Sequence, residues 1–310
     1  MGAYDFFYTA FGHVILTICL IFRYATSKGY WTDPYVQYFV RSLGERKAPE
    51  INRGYYACVG GMNHLDAFLR KTVCNCQIVK LGAGLDTTFW RLKVLPRKYI
   101  EVDFPMIKHT CSYIVVYLFR TKPPLLKPLI ETYSTDSLLL NGHSLDSDRH
   151  CIIGADLRDI PGLDDKLKKF HLNPKLPTLF LSECVLVYMT PDQSSKQVNW
   201  ASDTFHTAMF VNYEQVNMMD RFGQVMIENL QRRQCNLAGV GVCQSLESQK
   251  ERFLKTVWEN VDALDMVTVY SVIPQDDVAN GTSSPPTLSI CWATKDKFKQ
   301  VHMGLSQVAF

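Results

Sequence analysis

A short apolar run that stops at a glycine turn and passes into a helical pattern sets the terms for this chain's fold. Cys76-Gln77-Ile78-Val79-Lys80-Leu81 reads as a buried strand and Gly82-Ala83-Gly84 as a tight turn, with a helix expected from Asp86. About twenty residues on, Lys98-Tyr99-Ile100-Glu101-Val102-Asp103 is a second strand that ends on an acid. Open α/β sheets hold nucleosides with this layout. The glycines let backbone approach a ligand, and an acid at the end of the next strand accepts hydrogen bonds from ribose hydroxyls. A Gly-x-Gly turn after a strand is also an ordinary tight turn, so the rest of the chain has to decide between the two.

The pattern recurs downstream. His150–Ala155 is expected as a strand with Asp156 at its end, and Pro177–Ser182 as another with Glu183 at its end. Helices are expected over Leu157–Phe170 and Pro191–Phe205, and a fifth strand over Ala208–Glu214. Buried runs alternating with helices predict a doubly wound, mainly parallel α/β sheet. The acids at the strand ends then fall on the one edge where such sheets bind ligands. Each acid alone also suits a helix N-cap; three in succession beside a Gly-x-Gly turn favour a nucleoside site. Near the C-terminus, Met266–Tyr270 and Thr287–Ala293 read as closing strands that pair as an antiparallel hairpin, with a Gly/Ser/Pro turn region at Ala279–Pro286 between them. At the other end, Asp33 before Pro34 marks a helix start, and helical stretches run to about Arg70 as an N-terminal cap. Tyr113–Phe119 is an apolar insert, followed by an irregular passage at Pro123-Pro124.

Charge excludes several partners. With 33 basic and 30 acidic residues the net charge is +3, and no basic stripe with interleaved aromatics points to nucleic acid. The ten cysteines read as reduced core thiols. Cys74-x-Cys76 has no second pair, and the histidines show no ligand spacing, so no metal is expected. The expected location is cytoplasmic and the expected state a monomer. Residues 6–22 break this ordinary picture, because they carry no Asp, Glu, Lys or Arg and reach the lower edge of a membrane span. Three readings stand open for residues 1–29: a short anchor, a buried helix, or a leader from a misassigned exon. Residues 30–310 are expected to form a single domain.

The third glycine of a dinucleotide fingerprint is missing after Gly84, and no Gly-Lys-Ser/Thr comes after it to make a P-loop. A nucleoside without a pyrophosphate suits such a turn, and S-adenosylmethionine is one. Longer runs carry a family resemblance: Glu45-Arg46-Lys47-Ala48-Pro49-Glu50-Ile51-Asn52-Arg53-Gly54-Tyr55-Tyr56, Leu81-Gly82-Ala83-Gly84-Leu85-Asp86-Thr87-Thr88-Phe89-Trp90-Arg91, Glu101-Val102-Asp103-Phe104-Pro105, Gly154-Ala155-Asp156-Leu157-Arg158, Glu183-Cys184-Val185-Leu186-Val187-Tyr188-Met189-Thr190-Pro191 and Asn212-Tyr213-Glu214-Gln215. In these the chain resembles the leucine carboxyl methyltransferases. The resemblance implies a class I, Rossmann-like methyltransferase fold, S-adenosylmethionine as cofactor, and the C-terminal leucine carboxylate of the protein phosphatase 2A catalytic subunit as substrate.

It also implies residue roles. Gly82 and Gly84 lie against the cofactor, Asp103 takes the ribose hydroxyls, Asp156 and Leu157 hold the adenine, Glu183 borders the methionine end, and Tyr188 lines the substrate entrance. A carboxylate substrate is already ionised at neutral pH, so no catalytic acid or base is expected. Two departures stand out. The family places an arginine, which pairs with the cofactor's carboxylate, where this chain has Cys58, and a basic residue where it has Phe22. Loss of a bidentate arginine contact costs about 1.5–3 kcal/mol of cofactor binding. Beside the enzyme reading stand a homologue that binds the phosphatase but grips cofactor poorly, a tRNA-modifying relative, and a membrane-anchored methyltransferase.

Overall fold

The computed structural model describes residues 19–29, 32–40, 42, 62–92, 94–121, 139–141, 144–272 and 288–297. Outside the described residues lie residues 6–18 of the apolar leader, the Glu45–Tyr56 run with Arg53, Cys58, Pro123-Pro124, and the Ala279–Pro286 turn region. The chain divides into two compact units, Met1–Arg46 with Cys74–Asn173, and Lys47–Val73 with Pro174–Phe310.

The first unit is built on three parallel strands, β1 (Gln77–Leu81), β2 (Lys98–Asp103) and β5 (His150–Gly154). β2 lies between the other two, with Leu81 opposite Val102 and Asp103 opposite Gly154, so the three strands end together. All their residues are buried except Lys98, as parallel strands covered on both faces require. Two very short strands, β3 (Leu139–Asn141) and β4 (Ser144–Asp146), extend the sheet antiparallel beyond β5 and were not expected. The helix expected from Asp86 is a single turn, α3 (Thr88–Arg91), and Asp86 stands ahead of it, paired with Lys80 3.0 Å away on β1. The apolar insert near Tyr113 lies inside a long helix, α4 (Pro105–Thr121), with Cys111 and Val115 buried and Tyr113 exposed. After β5 comes α5 (Ile160–Lys169), capped by Asp159. Asp33 does serve a helix start: its Oδ1 accepts from the N–H groups of Tyr35 and Val36 ahead of the short α1 (Val36–Phe39).

The second unit contains α2 (Met62–Lys71) and four strands. β6 (Thr178–Glu183) and β7 (Thr207–Gln215) run parallel; β9 (Leu288–Asp296) pairs antiparallel with β7 along its whole length. β8 (Asn260–Asp265) pairs antiparallel with β9. The expected closing hairpin is therefore present, but its first strand is displaced. Met266–Tyr270 is helical, part of α9 (Met266–Val272), where Asp265 Oδ1 accepts the Thr268 N–H at 2.7 Å and starts a helical turn. Met266 and Val269 are buried three residues apart while Val267 is exposed, a helical rather than alternating pattern. Helix α6 (Pro191–Thr204) carries a complete capping box between Thr190 and Gln193. Helices α7 (Arg221–Arg232) and α8 (Leu246–Leu254) complete the unit. Its core is aromatic, with Phe180 meeting Phe205, Phe210 and Trp200, and Phe210 meeting Phe253.

No disulfide joins the nine cysteines among the described residues, and burial pushes the thiols of several of them up to about 12. Among the described residues no helix is long and apolar enough to cross a membrane.

Candidate active site

Gly82 and Gly84 both adopt left-handed backbone angles, φ 62° and 57°, which a side chain would strain. The turn between them is tied to the neighbouring strand: Ala83 N–H donates to Val102 O at 3.0 Å, and Gly84 N–H to Asp103 Oδ2 at 2.7 Å. The other oxygen of Asp103 accepts the Phe104 N–H at 2.6 Å. Each oxygen thus takes one backbone donor and keeps a lone pair for a hydroxyl. Burial pushes the Asp103 carboxyl above its usual range, against the pull of the Lys108 ammonium and of those two N–H groups.

Beneath the turn lies a charge cluster that the sequence reading missed. Lys108, on α4, is fully buried; its Nζ donates to Gly84 O at 2.9 Å and to Glu101 Oε2 at 2.7 Å. His150 Nε2 sits 3.0 Å from the second Glu101 oxygen, with its ring stacked on Phe89. Burial alone would neutralise Glu101, but Lys108 and His150 outweigh it and hold the carboxyl below its usual range. The signal for this cluster was present: Glu101 and Asp103 share one face of a buried strand, so a counter-cation had to come from somewhere.

At the end of β5 the ladder continues past the strand, with Ala155 N–H donating to Asp103 O at 2.8 Å. Asp156 and Leu157 come directly after it and so stand beside Asp103. Leu157 is buried; Asp156 is half-buried and clasped by Arg158, whose Nη2 lies 2.6 Å from Oδ2. Burial opposes ionisation of Asp156, yet the Arg158 hydrogen bonds prevail and hold its carboxyl below the usual range. Gly82, Gly84, Asp103, Asp156 and Leu157 therefore share one strand-end edge.

Glu183 and Tyr188 belong to the second unit. Glu183 ends β6, and Cys184 makes the sharp exit from it with φ 53°. Tyr188 closes a single 3₁₀ turn, Leu186–Tyr188. That turn is held from two sides: Val187 N–H donates to Glu214 Oε2 at 2.9 Å, and Val187 O accepts the Gly239 N–H at 2.8 Å. Glu214 and Gly239 had no assigned role in the sequence reading, although Glu214 lies within the Asn212-Tyr213-Glu214-Gln215 run.

Residues 19–27 are helical, with Cys19, Ile21 and Ala25 buried and Phe22 half-buried. Cys19 Sγ lies 3.9 Å from Leu85 O, next to the glycine turn, and Arg23 Nη1 donates to Gln37 O at 2.8 Å.

Parallel strands ending in a glycine turn and a buried acid, with an antiparallel strand laid along β7, make this a class I methyltransferase fold. A crystal structure from Thermobifida fusca, provisionally named a methyltransferase, shares the fold with a TM-score of 0.52 over 80% of this chain and 83% of its own, at 14% identity. The chain belongs to the leucine carboxyl methyltransferase family, whose profile matches residues 20–202. It is 53% identical to leucine carboxyl methyltransferase 1 of Bos taurus, over 93% of this chain and 90% of the relative, and 52% identical to that of Rattus norvegicus over the same shares. A tRNA wybutosine-synthesizing protein 4 from Rattus norvegicus is 32% identical over 92% of this chain, which spans 41% of that relative.

Proposed function

We propose that this methyltransferase uses S-adenosylmethionine to esterify the C-terminal leucine α-carboxylate of the protein phosphatase 2A catalytic subunit. The observation that carries the cofactor assignment is the buried Asp103 carboxylate bonded to Gly84 N–H across a turn made of left-handed glycines. Such a carboxylate, with a lone pair left on each oxygen, fits a ribose diol, and the turn fits close passage of a nucleoside's amino-acid arm. The names of relatives more than half identical to this chain support the leucine carboxylate as acceptor.

When bound, the cofactor supplies a methyl group activated by its sulfonium centre. The chain's own residues then have modest tasks. Asp103 holds the ribose, Asp156 and Leu157 the adenine, Glu183 the methionine end, and Tyr188 borders the substrate entrance. No side chain needs to move a proton, because the acceptor carboxylate is ionised at neutral pH. Alignment of acceptor oxygen and methyl group, with water kept out, supplies the rate. Opposite charges cancel as the methyl moves, so weakly polar surroundings favour the step.

Transfer of labelled methyl to intact phosphatase catalytic subunit, compared with subunit lacking its last leucine, tests this. Base-labile label is expected only in the intact form. Equal label in both, or none in either, refutes the assignment.

Phe22, half-buried beside Arg23 where the family carries a basic residue, favours a second reading in which cofactor is gripped weakly. Calorimetric titration of Cys58→Arg addresses it. Restoring the guanidinium is expected to tighten S-adenosylmethionine binding about tenfold or more. Unchanged affinity would remove the account of the missing carboxylate partner.

A further inference from the structure

We propose that Lys108 is a positioning residue of the nucleoside site, its buried ammonium locking the glycine turn and the ribose-side acid Asp103 into one binding geometry. The inference rests on the assignment of Asp103 to a ribose, and it adds a residue with no contact to the ligand. Lys108 is the last place to expect a surplus charge. Its side chain has no exposure, and lysine is almost never found so deep unless paired. Here it makes two bonds of different kinds. One is an ion pair with Glu101 Oε2 at 2.7 Å, itself steadied by His150 on the other carboxylate oxygen. The other is a hydrogen bond to Gly84 O at 2.9 Å.

The second bond gives the pair its functional meaning. Gly84 is gripped on both sides of one residue: its N–H by Asp103 and its C=O by Lys108. Glu101 and Asp103 are two residues apart on β2, so the same ammonium faces both carboxylates. A helix-borne cation thereby couples the turn, the ribose acid and the strand beneath them. A purely structural ion pair would be satisfied by Glu101 and His150 without touching the turn. The charged groups acting on Asp103 are Lys108 from α4, which favours its ionised form, and Glu101 from its own strand, which opposes it less strongly; His150 on β5 faces Glu101.

Two variants separate this from plain stability. Glu101→Gln keeps an acceptor for Lys108 and leaves the ammonium facing Asp103. Glu101→Gln with Lys108→Met removes the ion pair as a unit, so neither of its two members is left buried without the other. The readouts are thermal unfolding and calorimetric affinity for S-adenosylhomocysteine across a pH series that starts in the ordinary carboxylate range and ends at pH 8. Binding should weaken as pH falls and Asp103 takes up a proton. In the single variant that midpoint is expected to move down, since Asp103 loses an anionic neighbour. In the double variant it is expected to move up, with affinity at pH 8 lower by about tenfold or more. Opposite shifts are the signature of Lys108 acting on Asp103. A folded double variant with wild-type affinity and pH profile overturns the proposal. If the double variant does not fold, a Glu101→Gln midpoint that stays in place or rises overturns it. A wild-type chain that binds no S-adenosylhomocysteine at any pH removes the nucleoside assignment itself, and this inference with it.

Discussion

Gly239 has an ordinary backbone, φ −94°, so its need for glycine is steric. A Cβ there would stand 2.6 Å from Met189 O, 3.0 Å from Leu186 O and 3.1 Å from Val187 O. All three are backbone atoms of the turn that carries Tyr188 and its flank, and none is a flexible tip that swings aside. Gly239→Ala is therefore expected to cost about 1–3 kcal/mol in urea unfolding. It should also raise KM for the phosphatase subunit while leaving cofactor affinity alone; an unchanged KM would detach this turn from the substrate entrance. The contrast with Gly82 and Gly84 shows what sequence reveals at this scale. A glycine demanded by its own backbone angles announces itself through strand–turn–helix context. A glycine demanded by a carbonyl fifty residues away does not. Lys108 is hidden for the same reason, since only tertiary pairing with Glu101 decides that a lysine on a helix points inward. Asp103 was legible because its place, the last residue of a buried strand, is a local property.

Whole elements were legible where their periodicity was long and uncontested. β2 keeps the limits expected for it, and β1, β5, β6 and β7 differ by a residue or two at their ends. Three-residue strands such as β3 and β4 carry no periodic signal to read. The instructive failure is Met266–Tyr270. Met-Val-Thr-Val-Tyr is β-branched and aromatic, which suits a strand, yet Met266 and Val269 also share one helical face. Asp265 settles the choice by holding the Thr268 N–H at 2.7 Å, after which only the preceding Asn260–Asp265 is free to pair with β9. Asp265→Ala is accordingly expected to lower stability by about 1 kcal/mol, the usual loss for a helix cap. Because the β8–β9 pairing uses backbone groups, backbone amides of β9 should keep their hydrogen-exchange protection while those of α9 lose theirs. Equal loss in both elements would mean that the cap supports the strand pair and not the helix.

At the scale of the whole molecule, buried carboxylates set the dependence of folding on pH, and they pull in two directions. Burial is the largest influence on each, but Lys80 and Arg91 beside Asp86, Lys108 beside Glu101 and Arg158 beside Asp156 outweigh it and hold those carboxyls below their ordinary values. Their contribution is fully present above the unfolded range near 4 and is lost as pH falls through the lower folded values. Glu214 is the opposite case. It has no exposure, and burial pushes its carboxyl from 4.5 up to about 7, despite Arg252 and the N–H groups of Val187 and Gln215. Between those two pH values the unfolded chain has released a proton that the folded chain still holds. Stability therefore falls as pH rises across that window, by about 3 kcal/mol for this group alone. The paired acids thus add stability above the ordinary carboxylate range, and Glu214 withdraws it as pH rises from 4.5 to about 7. Glu214→Gln isolates the second effect, because glutamine stays neutral and still offers Val187 N–H an oxygen. Urea midpoints at pH 5 and pH 8 are the measurement: the wild-type chain is expected to lose stability between them and the variant to lose about 2 kcal/mol less. Parallel pH slopes in the two proteins would mean that Glu214 is ionised throughout, with its charge balanced inside the fold.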